Sequence, residues 1–275
     1  MKKKFLLITG GTGGHVIPAE NFGNYLYYKD ADCKIIIDKR GYRYINNFRG
    51  KINIISNSNL NGSIILKIFG SISILFGFIQ SFIIIFYYKP NVVISFGSYA
   101  SFSPMISCLI LKKFFGIKLF IHEQNSVIGR TNKFFLRYVN KLFLNFKNTF
   151  GINTKYEKKI YVVGYPEKKN SNLNLQKKLI KKKEIVIFIY GGSQGSEFIS
   201  NFSLKLIKSI YEEKIINTKI IFQCPKHMIE KISSDLKNIK LEIVIKDYFT
   251  DIDQILNMAN IVISRAGAGS INDLI

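Results

Sequence analysis

Cysteine is scarce and scattered: Cys33, Cys108 and Cys224 are the only three in 275 residues, and no two form a CxxC pair. An odd, widely spaced set supplies neither a disulfide framework nor a zinc site. Arginine is rare too, with Arg40, Arg43, Arg49, Arg130, Arg137 and Arg265 the only six among 40 basic residues. Against 18 acidic residues the formal charge is +22, which by itself suggests nucleic acid or an anionic membrane surface. The excess, however, is lysine dispersed along a chain rich in Ile, Asn, Phe and Tyr, the residues of AT-rich codons. No RNP, zinc-finger or recognition-helix context accompanies it, so nucleic acid is not the expected partner. The first apolar run, FLLI, is too short for a signal-peptide core, and a cytosolic protein is expected. No Asp, Glu or His cluster has metal-ligand spacing, and no Ser-His-Asp order stands out, so no metal or other cofactor is expected.

What the chain does have is a recurring pattern of apolar strand followed by glycine loop. KKFLLIT leads into GGTGGH; NVVISF (Asn91 to Phe96) leads into GSYAS; KLFIHEQN follows. EIVIFIY (Glu184 to Tyr190) then leads into GGSQGS, and NIVISRAGAGS closes the chain. Continuous apolar runs bounded by turns suit strands buried on both faces, and helical patterns lie between them. This is the pattern of a doubly wound α/β protein. The pattern restarts after the polar, lysine-rich PEKKNSNLNLQKKLIKKK (Pro166 to Lys183). Two Rossmann-like domains, 1–165 and 166–275, are expected, with one large sheet carrying a polar insertion as the alternative. Ligands of such sheets bind at the carboxyl ends of the strands, which would place GGTGGH on one side of a shared cleft and GGSQGS with RAGAGS on the other.

One stretch, Ile68 to Tyr87, has no charged residue over about the length that spans a bilayer. Ile65, Ile68, Ile72, Leu75, Ile79, Phe82 and Phe86 recur at spacings of three and four, which predicts a core-facing stripe. The opposite face, with Lys67, Ser71, Gln80 and Ser81 but also Ile74, Phe78 and Ile85, is greasier than a solvated helix needs. A helix docked on its own domain and touching a membrane surface is expected, rather than a span.

GGTGGH, Gly10 to His15, fits neither the GxGxxG dinucleotide fingerprint nor a P-loop. A nicotinamide oxidoreductase is therefore disfavoured, and the glycines serve either a tight strand-to-helix turn or close approach to a ligand. His15 falls where a helix begins, with Pro18 in its first turn. It is either a capping or packing residue or a general base, the positive helix end favouring its neutral form. RAGAGS, Arg265 to Ser270, combines an arginine, two glycines and a hydroxyl at a helix start, the groups that hold a pyrophosphate without a metal. Asp273, one turn on, is either a ribose-hydroxyl acceptor or an ordinary first-turn acid. His122 and Glu123 end a strand and have an equally good structural reading.

GGTGGH, HEQN at His122 to Asn125 with TNK at Thr131 to Lys133, GGSQGS and RAGAGSIND, in this order and at these intervals, resemble the MurG glycosyltransferases of family 28 over essentially the whole chain. The resemblance implies a GT-B fold, two Rossmann-like domains with the donor held mainly by the second. It implies inverting transfer of N-acetylglucosamine from UDP-N-acetylglucosamine to the 4-hydroxyl of a lipid-linked, undecaprenyl-diphosphate-bound muramoyl-pentapeptide. That reaction belongs to peptidoglycan synthesis and so to cell shape and division. Implied partners are the UDP-sugar, the lipid-linked acceptor, other cell-wall synthesis proteins and an anionic membrane, met peripherally on its cytoplasmic face by an apolar, basic-rimmed patch. Residue by residue, the resemblance places Thr12, Gly13 and Gly14 near the donor and His15 as the base. It assigns donor contacts to Asn125, Ser193, Phe249, Arg265 and the segment Ala268, Gly269, Ser270, Ile271, Asn272 and Asp273.

The chain also departs from that pattern. Lys168 stands where the family has an arginine after its GNP motif, a point charge in place of a bidentate fork. Asp273 replaces a glutamate, and Ser98 occupies a position where a second glycine is expected. The resemblance further implies strands and a closing helix beyond Ile275, so a truncated second domain is expected. The alternatives to the transferase are a related lipid glycosyltransferase with another acceptor, such as diacylglycerol, and an inactive remnant that serves as a scaffold.

Overall fold

The computed structural model describes residues 2–58, 63–166, 185–192, 195–215, 217–249 and 251–274; the side chains of 64–67 and 273 lie outside this description. The chain divides into two compact units, Met1–Ser171 and Asn172–Ile275. Their border falls within 167–184, outside the described residues.

Unit 1 runs β1 (Lys4–Ile8), α1 (Gly13–Tyr28), β2 (Asp32–Asp38), α2 (Lys39–Tyr42), β3 (Lys51–Ile55), α3 (Ile64–Tyr88), β4 (Val92–Ser95), α4 (Phe102–Phe115), β5 (Lys118–Glu123), α5 (Arg130–Phe135), β6 (Lys141–Leu144) and β7 (Ile160–Val162). Its strands form one sheet in the order β3-β2-β1-β4-β5-β6-β7, and every adjacent pair is parallel. β4 is buried at all four positions, which explains why it reads as an unbroken apolar run: helices cover both faces. The core gathers Leu6, Ile8, Val93, Leu119 and Leu142 from the strands with Met105 and Leu111 from α4 and Phe135 from α5.

Unit 2 repeats the design with β8 (Ile185–Tyr190), α6 (Glu197–Glu212), β9 (Thr218–Gln223), α7 (Ile229–Asp235), β10 (Glu242–Lys246), α8 (Ile252–Met258), β11 (Ile261–Ser264) and α9 (Ala268–Leu274). Its described strands pair in the order β10-β9-β8-β11, all parallel.

The strand order reverses once in each sheet. β1 pairs with β2 on one side and β4 on the other, and β8 pairs with β9 and β11. Such a reversal sends successive helices to opposite faces and opens a crevice at the carboxyl ends of the two central strands, where ligands of these folds bind. The glycine loops of the sequence follow β1 and β4 in unit 1 and β8 and β11 in unit 2.

The long helix α3 turns its faces the other way from the sequence expectation. Ile68, Ile72, Leu75, Ile79 and Phe86, expected in the core, are 45–58% exposed, while Phe82 is partly buried against the core. Ile65 lies outside the described side chains. The packed face carries Gly70, Gly77, Ser81, Ile85 and Tyr88. When every face is apolar, periodicity loses its meaning and residue size decides which face docks. A Cβ on Gly77 would run into the carbonyl oxygen of Ser56, so the helix approaches β3 only because that position is bare. On the α4 side, Ser103 Oγ donates to Ile74 O at 3.1 Å and Ser107 Oγ to Phe78 O at 3.2 Å. Small side chains with hydroxyl-to-carbonyl bonds thus fasten α3 to α4, as in closely packed apolar helices generally.

By length and composition Ile68–Tyr88 could cross a bilayer. The topology forbids it, because α3 joins β3 to β4 and both belong to one sheet; a spanning helix would set them on opposite sides of the hydrocarbon.

Replacing Gly77 by Ala should destabilise the protein by about 2 kcal/mol through overpacking, whereas Ile79→Ala on the exposed face should change stability by less than about 0.5 kcal/mol. Urea unfolding of the two variants checks the assignment of faces.

Candidate active site

The loop after β1 is shaped by a buried carboxylate. Asp38, at the end of β2 and 1% exposed, accepts from Gly11 N at 2.8 Å, Gly41 N at 2.9 Å and Arg40 Nε at 3.1 Å. In a dinucleotide-binding sheet the acid at this place meets a ribose. Here it holds the glycine loop, which agrees with the lack of a dinucleotide fingerprint. Gly11 takes φ +77°, and a Cβ there would meet Ser98 Oγ at 2.7 Å, so the loops after β1 and β4 are in close contact.

Thr12 is the N-cap of α1, without a side-chain capping bond, and Gly13, Gly14 and His15 are its first three helical residues. Pro18 lies in the second turn rather than the first. Lacking an N–H, it cannot bond the Gly14 carbonyl, and the neighbouring His15 carbonyl is met by the Thr9 hydroxyl at 2.8 Å. His15 has thus a cap-proximal place, but its ring is used otherwise. Its Nδ1 lies 2.8 Å from Phe96 O and 3.0 Å from Gln124 Oε1. His15 also lines a cavity of about 320 Å³, together with Ser98, Tyr99, Asn125, Gly129, Arg130, Thr131 and Asn132.

The HEQN segment builds the far wall. Glu123 is fully buried and accepts four hydrogen bonds. Oε1 takes Asn125 N at 3.0 Å and Asn125 Nδ2 at 2.9 Å; Oε2 takes Gly129 N at 2.9 Å and Asn132 Nδ2 at 2.8 Å. A buried charge tolerates its position only with such partners, and here the partners are the loop that leads into α5. Asn132 Oδ1 is buried, with no hydrogen-bond partner among the described residues. The cavity is therefore lined by the Asn125 amide, the His15 imidazole and the Arg130 side chain, a set suited to a hydroxylated, anionic substrate.

In unit 2 the two remaining glycine loops converge. β11 pairs with β8, setting Ser264 opposite Tyr190, so GGSQGS and RAGAGS leave the sheet side by side. Tyr190 Oη donates to Ser270 O at 3.3 Å, and a Cβ on Gly192 would lie 4.0 Å from Ser270 Oγ. Ala268, Gly269, Ser270, Ile271 and Asn272 open α9, with Ser270 buried and Arg265 exposed just before them. The Asp273 side chain, Ser193 and Lys168 lie outside the described residues. Phe249 is only 4% exposed and packs edge-on against Phe188, ring centroids 5.9 Å apart. Its ring belongs to the core, which leaves its main chain as the part able to meet a nucleotide base.

Of the residues singled out from the sequence, His15 and Asn125 thus meet on one cavity, while Ser270 of the 268–272 segment lies beside Tyr190 and Gly192. Glu123, Gln124 and Asn132 were not legible as site-building residues. The signals were the HEQN and TNK segments that contain them, singled out without a role for these three residues, and the alternation of His122 and Gln124 at a strand end, which places both on one side.

Two parallel α/β units with glycine loops at the reversal of each strand order are the architecture of GT-B glycosyltransferases and their nucleotide-sugar relatives. The crystal structure of *Acinetobacter baumannii* MurG superposes with a TM-score of 0.69 at 22% identity, over 98% of this chain and 76% of that one. The UDP-GlcNAc 2-epimerase of *Neisseria meningitidis* bound to UDP-GlcNAc gives 0.66 at 13% identity, over 96% and 78%. The chain belongs to glycosyltransferase family 28: residues 5–144 match the family's N-terminal domain and 186–275 its C-terminal domain. Among curated relatives, the UDP-N-acetylglucosamine--N-acetylmuramyl-(pentapeptide) pyrophosphoryl-undecaprenol N-acetylglucosamine transferase of *Rickettsia canadensis* is 32% identical, over 99% of this chain and 75% of its own length. The same-named protein of *Rickettsia bellii* is 28% identical, over 99% and 76%.

The departure at Ser98 has a structural consequence. Its φ of +77° with ψ of 155° is a conformation almost reserved for glycine, and a side chain there stores roughly 1–3 kcal/mol. Its hydroxyl accepts only a long bond from Ala100 N, 3.3 Å. Ser98→Gly should therefore raise stability by about 1 kcal/mol, read as a higher urea midpoint at unchanged slope.

Proposed function

We infer that this protein transfers N-acetylglucosamine from UDP-N-acetylglucosamine to the 4-hydroxyl of a lipid-linked N-acetylmuramoyl-pentapeptide, a step of peptidoglycan synthesis. The observation that carries this reading is the 32% identity to the *R. canadensis* transferase across 99% of the chain. The GT-B fold and the loops at both strand reversals are consistent with it.

In this reading unit 2 holds the donor. The N–H groups at the start of α9 and Arg265 take the diphosphate, Asp273 the ribose hydroxyls, and the Phe249 main chain the uracil; Ser193 adds a contact, and Lys168 of unit 1 another. No metal is called for, because the arginine and the N–H donors neutralise the departing phosphate charge. In unit 1, Thr12, Gly13 and Gly14 border the reacting sugar, Asn125 contacts the donor, and His15 Nε2 takes the proton of the acceptor hydroxyl. The hydroxyl oxygen forms its bond to the anomeric carbon as the bond from that carbon to the diphosphate oxygen breaks. UDP leaves with the electron pair, the configuration inverts, and His15 carries the proton away.

His15→Ala should lower kcat by about 10²–10⁴-fold with affinity for UDP-N-acetylglucosamine unchanged. Radiolabelled sugar transfer to a lipid-linked muramoyl-pentapeptide, with donor binding by calorimetry, reads both. A chain that transfers the sugar to diacylglycerol instead overturns the acceptor, and an undiminished His15→Ala rate overturns the base.

The reading also places the protein peripherally on the cytoplasmic membrane face. Support comes from the exposed apolar side of α3, where Phe69 and Phe76 are 65% and 57% exposed, and from Phe114 at the end of α4, 79% exposed. Exposed Lys113 precedes Phe114, and exposed Lys89 follows the C-terminal end of α3, a combination that suits an anionic bilayer surface. Changing Leu75 and Ile79 to Asp should abolish co-sedimentation with cardiolipin-containing vesicles while leaving the unfolding free energy within about 0.5 kcal/mol of wild type.

A further inference from the structure

Behind the cavity of unit 1 runs a single row of hydrogen bonds whose two ends are backbone carbonyls. At one end Gly164 O lies 2.9 Å from His122 Nε2. Gln124 Nε2 stands 3.1 Å from His122 Nδ1 and 3.1 Å from the His122 carbonyl oxygen. Gln124 Oε1 lies 3.0 Å from His15 Nδ1, which also lies 2.8 Å from Phe96 O, the other end of the row.

Carbonyl oxygens only accept, and this fixes every proton between them. Gly164 O requires a hydrogen on His122 Nε2. His122 is 4% exposed, and burial holds its basicity below the ordinary histidine range, so it carries one proton and its Nδ1 is an acceptor. The Gln124 amide nitrogen then has two acceptors before it, His122 Nδ1 and His122 O. Flipping the amide would set oxygen against both of these acceptors, turning two attractive contacts repulsive. Its oxygen therefore faces His15. With Gln124 Oε1 and Phe96 O both directed at it, His15 Nδ1 must carry the hydrogen, and the lone pair of the neutral ring is on Nε2.

We propose that Gln124 is a positioning residue, anchored by His122, that holds His15 in the Nδ1–H tautomer with Nε2 bare, and that its amide oxygen helps take up the charge when Nε2 accepts the substrate proton. The inference rests on His15 acting as the base. Gln124 is 1% exposed and neither it nor His122 lines the cavity, so each acts through His15 alone. An amide does here what a carboxylate does in other histidine-base enzymes, fixing the tautomer and orienting the ring, but without bringing a second buried charge beside the row.

Charged and titratable groups on the elements around His15 include Glu20 and, farther along, Tyr25, Tyr27 and Tyr28 on its own helix, Asp38 at the end of β2, Arg40 in α2, Tyr99 after β4, His122 and Glu123 at the end of β5, and Arg130 and Lys133 in α5. Glu20 is engaged by Asn46 N and Asn47 N, Asp38 by the glycine loop, and Glu123 by its four donors. Substitution at Gln124 removes no partner of these three carboxylates.

The test is nitrogen NMR of the full chain labelled with ¹⁵N-histidine, which has only three histidines; the exposed His227 is assigned by His227→Gln. In the wild type, His15 should show an imine-type Nε2 and a protonated Nδ1, and His122 the reverse. Gln124→Leu should mix the His15 tautomers and lower kcat roughly tenfold at unchanged donor KM. That is far less than the ~10⁴-fold of a lost triad aspartate, because Phe96 O still accepts. Gln124→Glu, which keeps an acceptor but adds charge, should raise the His15 titration midpoint by about one to three pH units and carry the acidic limb of kcat/KM with it. A wild-type His15 protonated at Nε2, a Gln124→Leu chain with unchanged tautomer and rate, or a Gln124→Glu midpoint that does not move overturns the proposal. The tautomer and the midpoint are read without turnover, so a failure of the transferase reading shows separately, as an undiminished rate in His15→Ala.

Discussion

The parallel pairing of one strand with neighbours on both sides, β1 with β2 and β4, is the constraint on which the rest of unit 1 depends. It forces the connections on either side of β1 to opposite faces of the sheet, so the carboxyl end of that strand meets its own glycine loop, the loop after β4 and the turn from Asp38 to Gly41. The same pairing of β8 with β9 and β11 does this in unit 2. Each chemical feature of the chain then hangs on a reversal: His15 and Ser98 on the first, GGSQGS and RAGAGS on the second. The loops are rich in glycine because two chains leave adjacent strand ends within van der Waals distance, as the contact of Gly11 with Ser98 shows.

Buried acids in unit 1 serve architecture so that neutral groups can face the ligand. Asp38 and Glu123 are both fully or almost fully buried; Asp38 accepts from two main-chain N–H groups and the Arg40 guanidinium, Glu123 from two main-chain N–H groups and two asparagine amides. Leaving any of these donors unpaired in the interior costs about 1–3 kcal/mol, so each carboxylate fixes its loop more firmly than an apolar residue could. The cavity that results presents an imidazole and two asparagines rather than carboxylates, which would repel an anionic substrate. The strain at Ser98 sits on the same rim, where the surrounding loop contacts determine the backbone.

The helix α3 shows how a membrane-like sequence serves in a water-facing fold. Its docking depends on small residues and on serine hydroxyls given to carbonyls, the means used where apolar surface alone does not discriminate between faces. The larger aliphatic and aromatic side chains are left outward. That inverts the usual amphipathic rule and leaves a surface with its own adhesive character, next to exposed lysines.

The repetition of apolar strand and glycine loop was enough, in the sequence, to give the α/β class, the restart into a second sheet and the segments that carry the chemistry. These are local signals: strand burial on both faces erases alternation, and a tight strand-to-helix turn demands glycine. The sequence also exposed the departure at Ser98 as a residue out of keeping with its place, though the strain it carries needed the backbone angle. Tertiary structure alone decided which face of α3 is buried, because hydropathy is nearly uniform around that helix and only close approach to Ser56 and α4 distinguishes its sides. It decided likewise that Phe249 has its ring in the core. It also joined Gln124 to His15, 109 positions apart, since a proton's place on an imidazole is set by whichever carbonyls the fold brings to it.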